Sequence, residues 1–116
     1  MSIRRIVPDI TSERMEESRK FYTEFLGMNL AMDMGWIATF VSPSNPTAQV
    51  TLMQAPPPGT ENPDVSMEVD DVAATHAKAV ALGLEIVYPL TDEPWGVRRF
   101  FVKDPNGTVI NVMSHL

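Results

Sequence analysis

Side chains able to do chemistry are sparse in this sequence. It contains no cysteine, which removes disulfides, thiolate nucleophiles and thiolate metal sites together. There are two histidines, His76 and His115. No serine sits in a nucleophile elbow, and no glycine-rich phosphate loop occurs. What remains is a pair of carboxylates, Asp64 and Glu68, in the alternating stretch DVSMEV, the adjacent Arg98 and Arg99, the tryptophans Trp36 and Trp95, and an amide, Asn111, in TVINVMS. A carboxylate in a partly apolar cleft can serve as a general base, so Asp64 and Glu68 are the candidate catalytic residues. For Asp64 the alternative is a strand-start aspartate hydrogen-bonded to the preceding linker. Each tryptophan either stacks on a flat ligand or closes the rim of a core. One of the two arginines should face a cavity, where it would bind a ligand carboxylate, sit solvated at an edge, or pair with Glu68. A glycine bulge in the DPNG turn would make it Arg99, set with Phe101 opposite Met113 and Asn111. A slip of one residue would choose Arg98.

The elements that must position these groups fall into two similar halves. Residues 55–63, APPPGTENP, hold four prolines and a glycine, which forbid helix or central strand. Before this linker (module one, 1–54), a strand over Ile3–Ile10 leads to a helix opening near Thr11 or Ser12. That helix carries Met15, Ser18, Tyr22, Phe25 and Leu26 on one face and stops at Gly27. After it (module two, 64–116), a strand over Val65–Val69 leads to a helix opening at Asp70 or Asp71, with Val72, His76, Ala79 and Val80 as its stripe and Gly83 as its stop. A tryptophan then precedes a strand in each half, GWIATFV and PWGVRRFFV, and each half closes on a matching strand, QVTLMQ and VINVMS. The reading is two βαβββ units in tandem. Asp104-Pro105-Asn106-Gly107 is a hairpin signal. In DVSMEV, Asp64, Ser66 and Glu68 point one way and the apolar residues the other. His76 reads as a core or capping histidine, and His115 is expected to fray.

A chain of 116 residues, 44% hydrophobic, suits one domain with its own core. No apolar run approaches the roughly 20 residues that cross a bilayer, and MSIRRIVPD lacks a signal-peptide core, so no membrane contact and a cytoplasmic location are expected. Nine basic residues scattered among fifteen acidic ones, net charge −6, exclude a phosphate-binding surface for nucleic acid.

Ser18-x-x-Phe21-Tyr22 running into Leu26-Gly27, then Val69-Asp70-Asp71-Val72, Leu82-Gly83 and Asp104-Pro105-Asn106-Gly107, resemble the vicinal oxygen chelate superfamily of glyoxalases, bleomycin-resistance proteins and extradiol dioxygenases. The resemblance implies an α+β fold in which the paired βαβββ modules form one curved mixed sheet. Helices would lie on its convex face and a ligand on the concave face. It also implies a homodimer, in some relatives with modules exchanged between chains. Metal-using relatives place ligands on the first and last strand of each module, which maps here to Val7 and Thr51, then to Asp64 and Asn111. Valine has no donor, threonine is a poor ligand for zinc, nickel or iron, and asparagine offers only a neutral carbonyl. No transition-metal cofactor is therefore expected, and a dioxygenase is not. The expected ligand contacts are Val7, Trp36, Thr51, Asp64 and Trp95, with Arg99, Phe101, Asn111 and Met113; segments 42–48 and 89–96 are expected as the loops that select the ligand. The function implied is sequestration of a small molecule, similar to bleomycin-resistance proteins. The alternatives are a glyoxalase-like lyase or isomerase with Asp64 or Glu68 as base, and a dimeric regulatory module whose pocket is vestigial.

Overall fold

The computed structural model describes residues 2–116. In chain order the elements are β1 (Ile3–Ser12), α1 (Met15–Lys20), a π-helical turn (Phe21–Phe25), β2 (Asn29–Asp33), β3 (Ile37–Ser42), β4 (Asn45–Gln54), β5 (Val65–Val69), α2 (Val72–Ala81), β6 (Ile86–Glu93), β7 (Val97–Lys103) and β8 (Val109–His115). This is βαβββ twice, an α+β fold with eight strands in a mixed sheet, as the tandem reading predicts. The residues up to Ile6 group with Pro63–Leu116, and Val7–Asn62 form the other unit, so β1 contributes to both.

In the unit of residues 7–62 the strands run β2-β3-β4-β1. β1 and β4 are parallel, with Asp9 opposite Thr51, while β3 is antiparallel to both β2 and β4. One face of these strands presents Ala38, Phe40 and Leu52, all 1% exposed or less, to Met15 of α1 and to Tyr22. Tyr22 stacks on Phe40 with ring centroids 5.4 Å apart. The second unit repeats the scheme as β1-β5-β8-β7-β6. Val69, Phe100 and Val112 pack against Val72 and Ala79 of α2, and His76 meets the Phe100 ring edge-on at 5.0 Å. Asp71 caps α2 by accepting the Ala74 amide at 3.0 Å. The helix ends in paired bonds, Leu84 N–H to the Ala79 carbonyl and Gly83 N–H to the Val80 carbonyl, across Gly83 at φ +69°. That left-handed residue is why both helices stop at Leu-Gly. In the β7–β8 hairpin, Asp104 Oδ1 accepts the amides of Asn106 and Thr108 at 2.8 and 2.9 Å, with Gly107 at φ +81°.

Three expectations need correction. β1 runs two residues beyond Ile10, to Ser12, and the first helix opens only at Met15. Phe25 and Leu26, expected on the buried stripe, are 72% and 52% exposed. The Leu26 amide reaches back five residues to Phe21, and this wider turn rotates the end of the helix off the 3.6-residue period. Val80 is likewise 59% exposed, because it lies about 75° around the helix from the inward line through Val72, His76 and Ala79. Finally, segments 42–48 and 89–96 are mostly strand, since β4 begins at Asn45 and β6 continues to Glu93. Pro46 and Pro89 are accommodated at irregularities, next to register shifts beside Ser42 and between Tyr88 and Thr91, where no ladder amide is required. Among the described residues no helix is long and apolar enough to cross a membrane.

Deleting the ring at either wholly buried phenylalanine, Phe40→Ala or Phe100→Ala, should lower the unfolding free energy by about 3–5 kcal/mol in urea titrations. Acid should act through specific carboxylates. The Thr108 amide foremost, then that of Asn106, holds Asp104 below its ordinary 3.8, and the Arg19 guanidinium followed by the Gly35 amide does so for Asp33. A depressed carboxyl contributes stability above its unfolded value and loses it as pH falls through the folded one. The urea midpoint should therefore drop on going from about pH 5 to about pH 2. Asp104→Asn, which has no proton to take up, should drop less; an equal drop would remove Asp104 from the account.

Candidate functional site

β8 turns Ile110 and Val112 toward α2, which by the two-residue period sends Asn111, Met113 and His115 to the opposite face. The ladder sets their neighbours. Ser66 and Glu68 of β5 lie opposite Asn111 and Met113, and Phe101 and Arg99 of β7 lie opposite the same two residues on the other side. This face gathers most of the chemically capable side chains of the chain.

Arg99 is the most elaborately held. Its Nη2 is 2.7 Å from Glu93 Oε2 and its Nε is 2.9 Å from the same oxygen. Its guanidinium carbon lies 4.9 Å from the Phe101 ring centroid, 5.1 Å from Trp95 and 5.2 Å from Tyr88. The Tyr88 hydroxyl donates to Glu93 as well, at 3.2 Å. Trp95, 44% exposed, therefore carries a cation on one ring face, an attractive arrangement for the ring quadrupole. Arg98 points away and forms a bidentate pair with Asp92 across the hairpin. Neither arginine pairs with Glu68, contrary to one of the sequence expectations. The reason is in DEPWGVRR: the hairpin closes around Pro94-Trp95-Gly96, so acidic and basic residues on its two arms become cross-strand neighbours.

Glu68 is engaged at both oxygens. Arg5 Nε lies 3.0 Å from Oε1, and His115 Nδ1 lies 3.1 Å from Oε2. His115 is thus the last residue of β8, not a frayed end, with the Leu116 amide donating to the Gly96 carbonyl at 2.9 Å. Asp64 stitches the start of β5 to β8. Its Oδ2 accepts the Val109 amide at 2.9 Å, and its own amide donates to the Val109 carbonyl at 2.8 Å. Its partner is β8, where the structural alternative for this residue had placed the linker. Asn111 is 8% exposed. Its Nδ2 donates to Ser66 Oγ at 3.0 Å, while its Oδ1 is buried with no hydrogen-bond partner. Buried acceptors are seldom left so. Met113 and Phe101 flank it, each 7% exposed or less.

The other candidates lie in the unit of residues 7–62. Val7 and Thr51 are buried at 5% and 8% exposure, and the Thr51 hydroxyl is 3.2 Å from that of Thr39. Trp36 precedes β3, half-exposed, and its carbonyl accepts the Gln54 amide. Two open depressions of about 540 and 590 Å³ share Ser12, Glu13 and Arg14 at the junction of β1 with α1, and none of the sequence-derived site residues lines either one. The residues at the four positions to which the resemblance maps a transition metal do not fit one: Val7 offers no donor, the Thr51 hydroxyl lies 3.2 Å from that of Thr39, one Asp64 oxygen is taken by a backbone amide, and Asn111 is uncharged. Among the described residues no group of three or more His, Asp or Glu is placed to hold a metal ion.

Sequence reasoning missed Glu93 and Tyr88, and set Ser66 on this face without its pairing to Asn111. The first could have been read from the charge complementarity of DEPWGVRR, but the Ser66–Asn111 contact joins parallel strands 45 residues apart and leaves no local signal. The buried pair makes one prediction. Glu93→Ala strands a cation whose side chain is 19% exposed, and should lower the unfolding free energy by about 3 kcal/mol. Asp92→Ala, in the exposed pair next to it, should leave the urea curve almost unmoved.

A family model described as Glyoxalase/Bleomycin resistance protein/Dioxygenase superfamily matches residues 3–112. No curated protein sequence gives a match. Among solved structures, a protein described as an NAD-dependent benzaldehyde dehydrogenase from Legionella pneumophila superposes with a TM-score of 0.75 at 17% identity, over 96% of this chain and 99% of the other. A glyoxalase/bleomycin resistance protein/dioxygenase superfamily member from Vibrio splendidus 12B01 gives 0.71 at 15% identity, over 97% and 99%. Methylmalonyl-CoA epimerase from Mycobacterium tuberculosis gives 0.71 at 17%, over 98% and 87%. These identities speak for the fold alone. The family match spans nearly the whole sequence and agrees with the doubled βαβββ order, and the chain belongs to the glyoxalase/bleomycin resistance protein/dioxygenase superfamily.

Proposed function

We propose that this chain binds a small organic molecule on the Asn111-bearing face, independently of a transition metal, and sequesters it without turning it over. The observation that carries the reading is the juxtaposition of a buried amide, walled by Phe101 and Met113, with a half-exposed tryptophan stacked on Arg99. Small-ligand sites combine apolar walls with a few fixed polar groups in this way. The chemistry of the donor set at Val7, Thr51, Asp64 and Asn111 supports metal independence. A cytoplasmic homodimer is the setting proposed for it.

Catalysis by Asp64 or Glu68 as base fits the contacts less well. Both Glu68 oxygens are paired and one oxygen of Asp64 is tied to the β8 backbone, contacts that give each carboxylate a structural role. If the chain does transfer protons, His115 is the better candidate, because Glu68 holds its Nδ1 and leaves Nε2 available.

The test is a screen of flat aromatic fragments against the isotope-labelled protein, read by NMR and by melting temperature. Binders should shift the Trp95 indole and Met113 methyl signals together and raise the melting temperature by mass action. Added zinc or manganese should alter neither. A panel that moves no signal on this face would instead favour the regulatory module with a vestigial pocket.

A further inference from the structure

Resting on that reading of the site, the geometry points to the chemical class of the ligand: an uncharged, flat molecule that presents an N–H or O–H donor to Asn111 Oδ1, with carboxylates disfavoured. Three observations converge on this assignment.

The first is the unpartnered acceptor itself. Asn111 is more than nine-tenths buried, its Nδ2 is committed to Ser66, and its Oδ1 faces no donor of the chain. A buried carbonyl that gave up water on folding regains a hydrogen bond only from an incoming donor. A group carrying only lone pairs would meet it with like partial charge.

The second is that the cations on this face are already matched. Arg5 is held by Glu68 at 3.0 Å and Arg99 by Glu93 at 2.7 Å, and the two carboxylate side chains are 17% and 8% exposed. A ligand carboxylate would have to displace one of these partly buried partners, leaving it uncompensated. The positive charge that makes arginine a usual carboxylate anchor is spent within the protein.

The third is access and shape. Asn111 has Ser66 and Phe101 across the strands and Met113 along its own, and the apolar walls are Phe101 and Met113. Methionine is unbranched and readily repacked, so a thin donor-bearing ring edge can reach the amide by moving one flexible side chain. Phe101 offers the wall against which such a ring lies.

The test compares three probes of nearly one shape on the wild-type chain: benzamide, neutral with a donor; acetophenone, neutral without one; and benzoate, anionic without one. Dissociation constants come from NMR titration of the Met113 methyl and Trp95 indole signals. Benzamide should bind about tenfold more tightly than either of the others, the scale of one buried hydrogen bond. Asn111→Leu, close in volume, should reduce the three affinities to within about twofold of one another. Preference for acetophenone or benzoate would overturn the assignment, and so would equal binding of all three to the wild type, with water alone satisfying the amide. Those outcomes leave ligand binding at this face standing, whereas failure of every fragment to shift these signals would overturn the binding reading itself. The wild-type comparison decides the matter even if the leucine variant does not fold.

Discussion

Each half of this chain has one short helix with which to cover one face of a strand group, and that scarcity governs the rest. Phe40 and Phe100 are wholly buried because α1 and α2 lie over them. A strand alternates its side chains, so once the helix claims the even-numbered Val112 the odd-numbered Asn111, Met113 and His115 have no choice of side. The polar chemistry of the second half follows from where its apolar residues had to go. No separate device is needed to assemble the face: the parallel β5–β8 ladder and the antiparallel β7–β8 ladder bring in Ser66, Glu68, Arg99 and Phe101 by register alone.

The electrostatics of that face are self-contained. Acidic residues exceed basic ones in the chain as a whole, yet Arg5 and Arg99 each find a carboxylate within the unit to which they belong. Breaking such a pair costs more than making it yields, because what is left behind is a charge poorly reached by water. The aromatic rings around Arg99 deepen the effect by replacing solvent on the guanidinium faces. Arg98, one residue away, shows the contrast. Its pairing with Asp92 raises its own proton affinity and holds the Asp92 carboxyl below its usual range, but both groups stand in solvent, where water screens what they could contribute.

Much of the architecture was legible from punctuation and periodicity. Gly27 and Gly83 stop helices, Asp104–Gly107 turns a hairpin, and DVSMEV alternates, each for a local steric or hydrogen-bonding reason that a sequence carries openly. What could not be read has several causes. The π-helical turn at Phe21–Phe25 depends on how one surplus residue is absorbed between fixed ends, an energetic compromise invisible to a 3.6-residue template. Pro46 and Pro89 lie in segments expected to be loops, and irregular strand positions tolerate them. At the candidate site, parity set Asn111 and Met113 on one side and left Arg98 and Arg99 as alternatives beside them, while the pairing of Asn111 with Ser66 arises only when distant segments of chain meet. Glu93 was concealed differently, since its partner is six residues along and a hairpin had to form between them.

The π-helical turn also bears on how this chain could vary. A turn of this kind holds one residue more than the α-helix it interrupts, and here it lies between the buried Met15 and the left-handed Gly27. Loss of a single residue within 21–25 would let the segment relax to ordinary α-helix while Met15 and the exit into β2 stayed anchored. The cost would fall on Phe21 and Phe25, whose rings, 5.2 Å apart, would be turned to new bearings. The first half thus contains a place where length can drift by one without disturbing the strands, whereas the ten-residue α2 of the second half, capped at both ends, has no such slack.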